Sequence, residues 1–215
     1  MTQFGVAQPV RRVEDPRLLK GGGSYTDDGS LPGMVHGVVL RSPHAMARIT
    51  ATDAAAARAV PGVLAVYTAA DMKADGIGLL PCLAKVKNRD GSEQASPPRP
   101  VLADGMVRHA GEPVAFIVAE TPQAARDGAE AVMVDYDLLP SITELAAAMD
   151  AGVPQVWDNA PKNICFDWEI GQKEKTEALF ASAAHVTRLT VVNNRIVVNS
   201  IEPRGALAAF ATATG

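Results

Sequence analysis

The sequence predicts an α/β fold of the mixed, α+β kind with a β-rich stretch at its far end, and three observations carry that expectation. The first lies within residues 31–49: Met34, His36, Val38 and Leu40 fall on one face of a strand and Val35, Val39 and Arg41 on the other, before Ser42-Pro43 ends it. The second is a strand, helix, strand succession made by the apolar run 114–119, the helix start Thr121-Pro122 and the run 132–136. The third is the Val- and Thr-rich stretch 185–198, long for a single strand.

Taken in order, residues 1–20 carry Pro9 and Pro16 and mixed charges, Arg11-Arg12 and Glu14-Asp15, without a sustained period. They are expected to run as an extended arm. Lys20 followed by Gly21, Gly22 and Gly23 invites a phosphate-loop reading, because glycine lets backbone amides approach an anion. A P-loop needs GxxxxGK[ST] between a strand and a helix. Here the lysine precedes the glycines and a polar turn follows, so the stretch reads as a turn feeding the first strand. That strand is apolar on both faces, as expected of a central one. A second strand is expected over 47–52. Asp53 is placed to cap a short helix over 54–59, Pro61-Gly62 stops it, and 63–68 alternates as a further strand.

Residues 71–100 contain Pro81, the Asn88-Arg89-Asp90-Gly91 turn and several prolines after Ser96, and read as a long surface loop. Loops of that length are functional or partner-facing more often than accidental. The helix after Thr121 is expected to reach about Glu130, with Ala124, Ala125, Gly128 and Ala129 on one face, small enough to pack closely on a sheet. Strands joined by such a helix are expected to be parallel, with a right-handed crossover. Residues 150–162 read as a linker, 173–181 as a short helix, 185–198 as a long strand bent at Asn193-Asn194, and 206–212 as another strand. The domain expectation is an arm over 1–20, an α/β domain over 21–148, a linker with a short helix over 149–183, and the opening of a β-rich domain over 184–215. A hairpin cut at its tip leaves an unpaired edge, so the chain is expected to be the front part of something longer.

Composition narrows the function classes. Lys and Arg number 20 against 24 Asp and Glu, for a net charge of −4, and the basic residues are scattered. Nucleic acid is not an expected partner, since its phosphates call for a clustered positive face. No apolar run approaches the roughly 20 residues of a membrane helix, and the N-terminus lacks a charged region followed by an apolar one. A cytoplasmic, unexported protein is expected. Cys82 and Cys165 are far apart and in no CxxC spacing, so both are expected as reduced, ordinary thiols.

The chemistry-bearing residues are few. His36, His44, His109 and His185 have no partners at metal-ligand spacing, which favours structural roles. Ser42 and His44 are too close in sequence for triad geometry, and no G-x-S-x-G elbow is present. Glu112 and Glu202 each stand before a proline on a rigid turn, where a hydrogen-bonded turn role is expected ahead of a general base. By residue chemistry alone the reading ends at an α/β domain followed by the start of a β-rich one.

Six stretches together say more. Pro9-Val-Arg-Arg-Val-Glu-Asp-Pro-Arg-Leu-Leu19, Gly23-Ser-Tyr-Thr-Asp-Asp28, Leu31-Pro-Gly-Met34, Leu40-Arg-Ser-Pro-His-Ala45, Val107-Arg-His-Ala-Gly-Glu-Pro-Val-Ala115 and Ile201-Glu-Pro-Arg204 resemble, in that order, the N-terminal part of the large subunit of molybdenum hydroxylases. That family includes xanthine dehydrogenase, aldehyde oxidase and aerobic carbon monoxide dehydrogenase. Met46 departs from a histidine common in the Ser-Pro-His-Ala-His form, in a segment that reads as structural.

The resemblance implies an α/β hammerhead domain up to about residue 148 and the opening of the first molybdopterin-binding domain from about residue 185. It implies a molybdenum-pterin cofactor hydroxylating an aldehyde, an N-heterocycle or a similar small substrate with oxygen from water. Electrons would leave through 2Fe–2S clusters to FAD, carried on an iron–sulfur small subunit and an FAD medium subunit of an oligomeric complex. Most cofactor loops and the general-base glutamate would fall beyond Gly215, leaving no catalytic or metal-ligating residue in this segment. The same resemblance implies a substrate-binding role for Glu202 and Arg204, with a structural turn at a domain entry as the alternative. A reading from another class stays open: a noncatalytic scaffold or docking module for redox subunits.

Overall fold

The computed structural model describes residues 12–193 and 196–210. Expectations for residues 1–11, for Asn194 in the expected bend and for the hairpin tip over 211–215 lie outside the described residues. The chain divides into two units, one spanning 35–186 and one formed by 12–34 with 187–210.

In the smaller unit, part of the expected extended arm is helical instead. Helix α1 (Asp15–Leu18) has Pro16 in its first turn, where a missing amide costs nothing, and Asp15 at its positive end. A 3₁₀ turn follows at Thr26–Asp28, closed by the Tyr25 amide donating to Asp28 Oδ2 at 2.7 Å. The strands expected over 185–198 and 206–212 are not formed by any of the described residues there. Leu189, Val191, Val192, Ile196, Val197 and Val198 are between 74% and 83% exposed. A strand apolar on both faces is stable only between neighbours that cover its edges and faces, and the described residues supply none.

The larger unit contains β1 (His36–Arg41), β2 (Ala47–Asp53), α2 (Ala55–Arg58), β3 (Val63–Tyr67), α3 (Ala69–Ala74), β4 (Met106–Val107), β5 (Pro113–Ala119), α4 (Pro122–Glu130), β6 (Met133–Leu138) and α5 (Lys173–Ser182). Two three-stranded sheets form, in the orders β1-β5-β3 and β4-β2-β6. Every pairing between these strands is antiparallel, from His36↔Ala119 to Leu40↔Ala115 in the first sheet and from Ala47↔Leu138 to Asp53↔Met133 in the second. The expected parallel crossovers are therefore absent. Helix α4 connects β5 and β6, and α2 connects β2 and β3, but each helix carries the chain from one sheet to the other. A strand, helix, strand sequence looks the same whether or not the second strand returns to the sheet of the first. The central strand is also β5, whose side chains are mostly buried, whereas β1 lies at an edge of the same sheet.

Local chemistry accounts for most element boundaries. Thr121 caps α4, its Oγ1 accepting from the Ala124 amide at 3.1 Å. The small face of α4, Ala124, Ala125, Gly128 and Ala129, is buried as expected. A Cβ on Gly128 would come within 2.8 Å of Val63 Cγ2 and 3.0 Å of Ile117 Cγ2, so close packing excludes a larger residue. The core gathers Ala57, Val66, Ala115, Ile117, Ala129 and Val132, with Val38 and Leu40 of β1 packed against it. Asp53 Oδ1 accepts from the Ala55 amide at 2.8 Å, so the expected carboxylate at the start of α2 is in place.

The start of the expected long loop is helical: Thr68 opens α3, and Asp71 Oδ2 accepts from both the Thr68 amide and its hydroxyl at 2.7 Å. Further along, the loop folds into a small hairpin bridged at Lys87↔Glu93, with Gly91 at φ +85° in its turn. The linker is fastened as well. Asn163 Nδ2 donates to the Ala148 and Pro154 carbonyls at 2.9 and 3.0 Å while its Oδ1 accepts from the Val156 amide at 2.8 Å. Among the described residues no helix is long and apolar enough to cross a membrane.

Candidate functional site

Antiparallel pairing of β1 with β5 brings the turn after Arg41 against the turn before Pro113, joining two stretches that stand out in the sequence. The Ser42 amide donates to the Glu112 carbonyl at 2.9 Å, the Gly111 amide to the Ser42 carbonyl at 2.7 Å, and Arg41 Nη1 to the Gly111 carbonyl at 2.9 Å. Gly111 sits at φ +87°, a conformation only glycine adopts without strain. Ser42 is buried, and its hydroxyl is engaged locally: Oγ accepts from the His44 amide at 3.0 Å and donates to the His44 carbonyl at 3.3 Å. The His44 ring meets Tyr136 edge-on at 4.8 Å. Burial pushes the Tyr136 hydroxyl above its ordinary pKa, against a hydrogen bond with Ser42.

Glu112 lies at the centre of this knot with 8% of its surface exposed. Its carboxylate accepts from the Arg108 amide, and Oε2 stands 3.6 Å from His109 Nδ1. The Arg108 guanidinium lies over the Trp157 ring at 3.8 Å, and its Nε donates to the Val156 carbonyl at 3.2 Å. The knot thus ties both turns to the linker. Its hydroxyl and carboxylate are engaged within the knot, with backbone amides and with the Tyr136 and His109 side chains, so it has the chemistry of a structural clamp. Among the described residues no group of three or more His, Cys, Asp or Glu side chains is placed to hold a metal ion, so the residues present do not by themselves fit a metal centre.

Glu202 and Arg204 lie in the smaller unit and are both exposed. Glu202 Oε1 accepts from the Thr26 amide at 2.8 Å and from the Thr26 hydroxyl at 3.1 Å. Two motifs 176 residues apart are joined by that oxygen. The approach is close: a Cβ on Gly205 would stand 2.7 Å from Asp27 Oδ1.

Elsewhere in the larger unit, an open cleft of about 690 Å³ lies between the loop hairpin and residues 159–167, lined in part by Arg89, Glu93, Asn159, Cys165 and Phe166. Arg89 reaches Asp167 Oδ2 with Nε at 3.1 Å and Nη2 at 2.6 Å, and Glu169 Oε2 with Nη1 at 3.0 Å. Asp167 and then Glu169 hold the guanidinium above its ordinary pKa. The roles of Arg89 and Arg108 are not legible in the sequence, because their partners lie 78 and 49 residues away. The alternation of Asp167 and Glu169 with Phe166, Trp168 and Ile170 was a usable signal for an extended segment there.

Two antiparallel sheets linked through helices, with a buried clamp between their turns, define a mixed α/β domain. The family model described as "Aldehyde oxidase and xanthine dehydrogenase, a/b hammerhead domain" matches residues 20–140, and the chain belongs to that family. Among curated relatives, the carbon monoxide dehydrogenase large chain of Afipia carboxidovorans is 38% identical over 92% of this chain and 25% of its own length. The nicotine 6-hydroxylase large subunit of Paenarthrobacter nicotinovorans is 32% identical over 98% of this chain and 25% of its own length. The crystal structure of a Cu,Mo-CO dehydrogenase superposes with a TM-score of 0.67 at 38% identity, covering 82% of this chain and 22% of that one. Quinoline 2-oxidoreductase from Pseudomonas putida 86 gives 0.58 at 38% identity, over 67% and 18%. The chain therefore spans about a quarter of the length of these curated relatives.

Proposed function

We propose that this chain is the front quarter of the large subunit of a molybdenum hydroxylase. In the complete protein a C–H bond of an aldehyde, an N-heterocycle or a similar small substrate is replaced by C–O, with oxygen from water, and two electrons and two protons leave. The molybdenum-pterin cofactor supplies that redox chemistry when bound by the complete protein. The electrons pass to 2Fe–2S clusters and FAD on an iron–sulfur small subunit and an FAD medium subunit, in a cytoplasmic oligomer. The observation that carries this reading is the 38% identity to a carbon monoxide dehydrogenase large chain, sustained over 92% of this chain. In the same reading, residues 1–20 are an arm, 21–148 the hammerhead domain, 149–183 a linker with a short helix, and 184–215 the opening of the first molybdopterin-binding domain.

The contribution of this chain is positional. The clamp around Glu112 fixes the hammerhead turns. Glu202 and Arg204 form part of the substrate wall, the Glu202 carboxylate steadied by Thr26. Reading the gene past Gly215 tests the proposal. A continuing frame whose purified product holds molybdenum and pterin in stoichiometric amount, while the 215-residue chain holds neither, is the expected result. Stoichiometric cofactor on the 215-residue chain, or a stop codon directly after Gly215, overturns it. The second outcome favours a noncatalytic docking module for redox subunits. For the substrate wall, Glu202→Gln and Arg204→Lys in the complete holoenzyme are expected to raise KM severalfold with kcat nearly kept. An unchanged KM in both variants removes these two residues from the pocket.

A further inference from the structure

Residues 165–170 have two faces of opposite character. The carbonyls of Cys165 and Asp167, two residues apart, accept from the Ala95 amide at 2.8 Å and the Arg89 amide at 2.9 Å, and the Asp167 amide donates to Asn88 Oδ1 at 2.8 Å. A two-residue period is that of an extended strand, whose side chains alternate between faces. On one face Asp167 and Glu169 are both held by Arg89. Phe166, Trp168 and Ile170 alternate with these carboxylates in the chain and are 53%, 56% and 79% exposed, Phe166 also bordering the cleft beside Arg89. Three large apolar side chains therefore stand at alternate positions of a segment tied down by backbone hydrogen bonds at Cys165 and Asp167 and by a forked ion pair at Asp167 and Glu169.

Fixing the backbone in advance removes much of the ordering cost of association, and aromatic side chains on such a support have the character of interface anchors. The charges of the segment, Asp167 and Glu169, are turned to Arg89, so the row itself is apolar and calls for an apolar groove. The row also lies outside the hammerhead match, which ends at residue 140, yet inside the region shared with relatives of which this chain covers a quarter. We propose that Phe166, Trp168 and Ile170 are a docking ridge for an apolar groove in the remaining three quarters of the same large subunit. This inference rests on the reading of the chain as the front of such a subunit.

Hydroxyl-radical labelling with mass spectrometry tests it residue by residue, without altering the chain. The 215-residue chain is compared with the product of the gene read through past Gly215, the latter with and without its partner subunits. Trp168 is expected to be labelled severalfold less in the longer product, with or without those subunits. In the same product Trp168→Ser is expected to raise labelling of Phe166 and Ile170. Equal labelling of Trp168 in the two forms overturns the ridge and leaves the large-subunit reading standing. Protection that appears only with a partner subunit bound, or that grows with the concentration of the 215-residue chain, assigns the groove to another polypeptide or to a second copy, and also overturns it. A stop after Gly215 removes both the inference and the reading beneath it.

Discussion

Gly111 is the residue at which backbone conformation alone sets a requirement. It sits at φ +87°, and apart from its chain neighbours no heavy atom lies within 4 Å of where a Cβ would be placed. Substitution is therefore resisted by the backbone and not by crowding. Gly111→Val is expected to destabilise the larger unit by about 1–3 kcal/mol, read as a lower urea midpoint, and an unchanged midpoint refutes the requirement. Glu112 makes a complementary case, because its buried carboxylate satisfies the half-buried Arg108 amide. Glu112→Ala leaves that donor without its acceptor and is expected to cost about 1–3 kcal/mol. Glu112→Gln keeps an oxygen there and is expected to lose less, so equal losses in the two variants would show that the carboxylate is not acting as this acceptor. The proline beside Glu112 and the glycine before it mark a rigid turn in the sequence. Its partner, Ser42, was recognisable only as the end of a strand.

At the scale of elements, start signals were legible where they are made by neighbours. Thr121-Pro122 announced α4, and the structure has the Thr121 hydroxyl on the Ala124 amide. The equivalent signal at Thr68-Ala69-Ala70-Asp71 falls where the expected strand over 63–68 ends and the expected loop from 71 begins, so helix α3 is not among the sequence expectations. Asp71 also gives α3 a pH dependence. The Thr68 hydroxyl, then the Thr68 amide, lower the Asp71 pKa below its ordinary value. A carboxylate whose pKa is depressed on folding stabilises the fold above its unfolded pKa, and that stabilisation is lost as pH falls through the folded value. Asp71→Asn is therefore expected to cost about 0.5 kcal/mol near neutral pH, at the low end of capping effects because solvent screens the carboxylate. The difference between variant and parent should vanish in strong acid, and a difference that persists there would show that something other than ionisation is at work.

At the scale of the whole molecule, the division between the two units sets the expected behaviour in solution. Residues 35–186 contain both sheets and the three buried clusters, with Ile117 and Val107 fully enclosed. Residues 187–201 contain Leu189, Val191, Val192, Ile196, Val197, Val198 and Ile201, each at least 74% exposed. An apolar strand sequence without neighbours is an association hazard. The 215-residue chain is accordingly expected to bind an apolar-surface dye and to self-associate. Removing the residues after Val186 is expected to lower dye binding, leaving the share due to Phe166, Trp168 and Ile170, with the unfolding midpoint of the larger unit nearly unchanged. Dye binding unchanged by the truncation would show that residues 187–201 do not contribute to it.

The sequence by itself determined the class of fold, the existence of most strands and helices of the larger unit, the small face of α4 and the family, because these depend on period, capping and local motif. It also marked Glu112 and Glu202 as turn carboxylates. Only the tertiary structure decided that the strands pair antiparallel in two sheets, that β5 and not β1 is central, and that Glu112 closes the turn at Ser42. Those facts rest on contacts between residues tens of positions apart, and strand periodicity carries no record of which neighbour a strand will take. The same reason accounts for the stretch 185–198: its composition favours a strand, but a strand is completed by partners, and the described residues form none there.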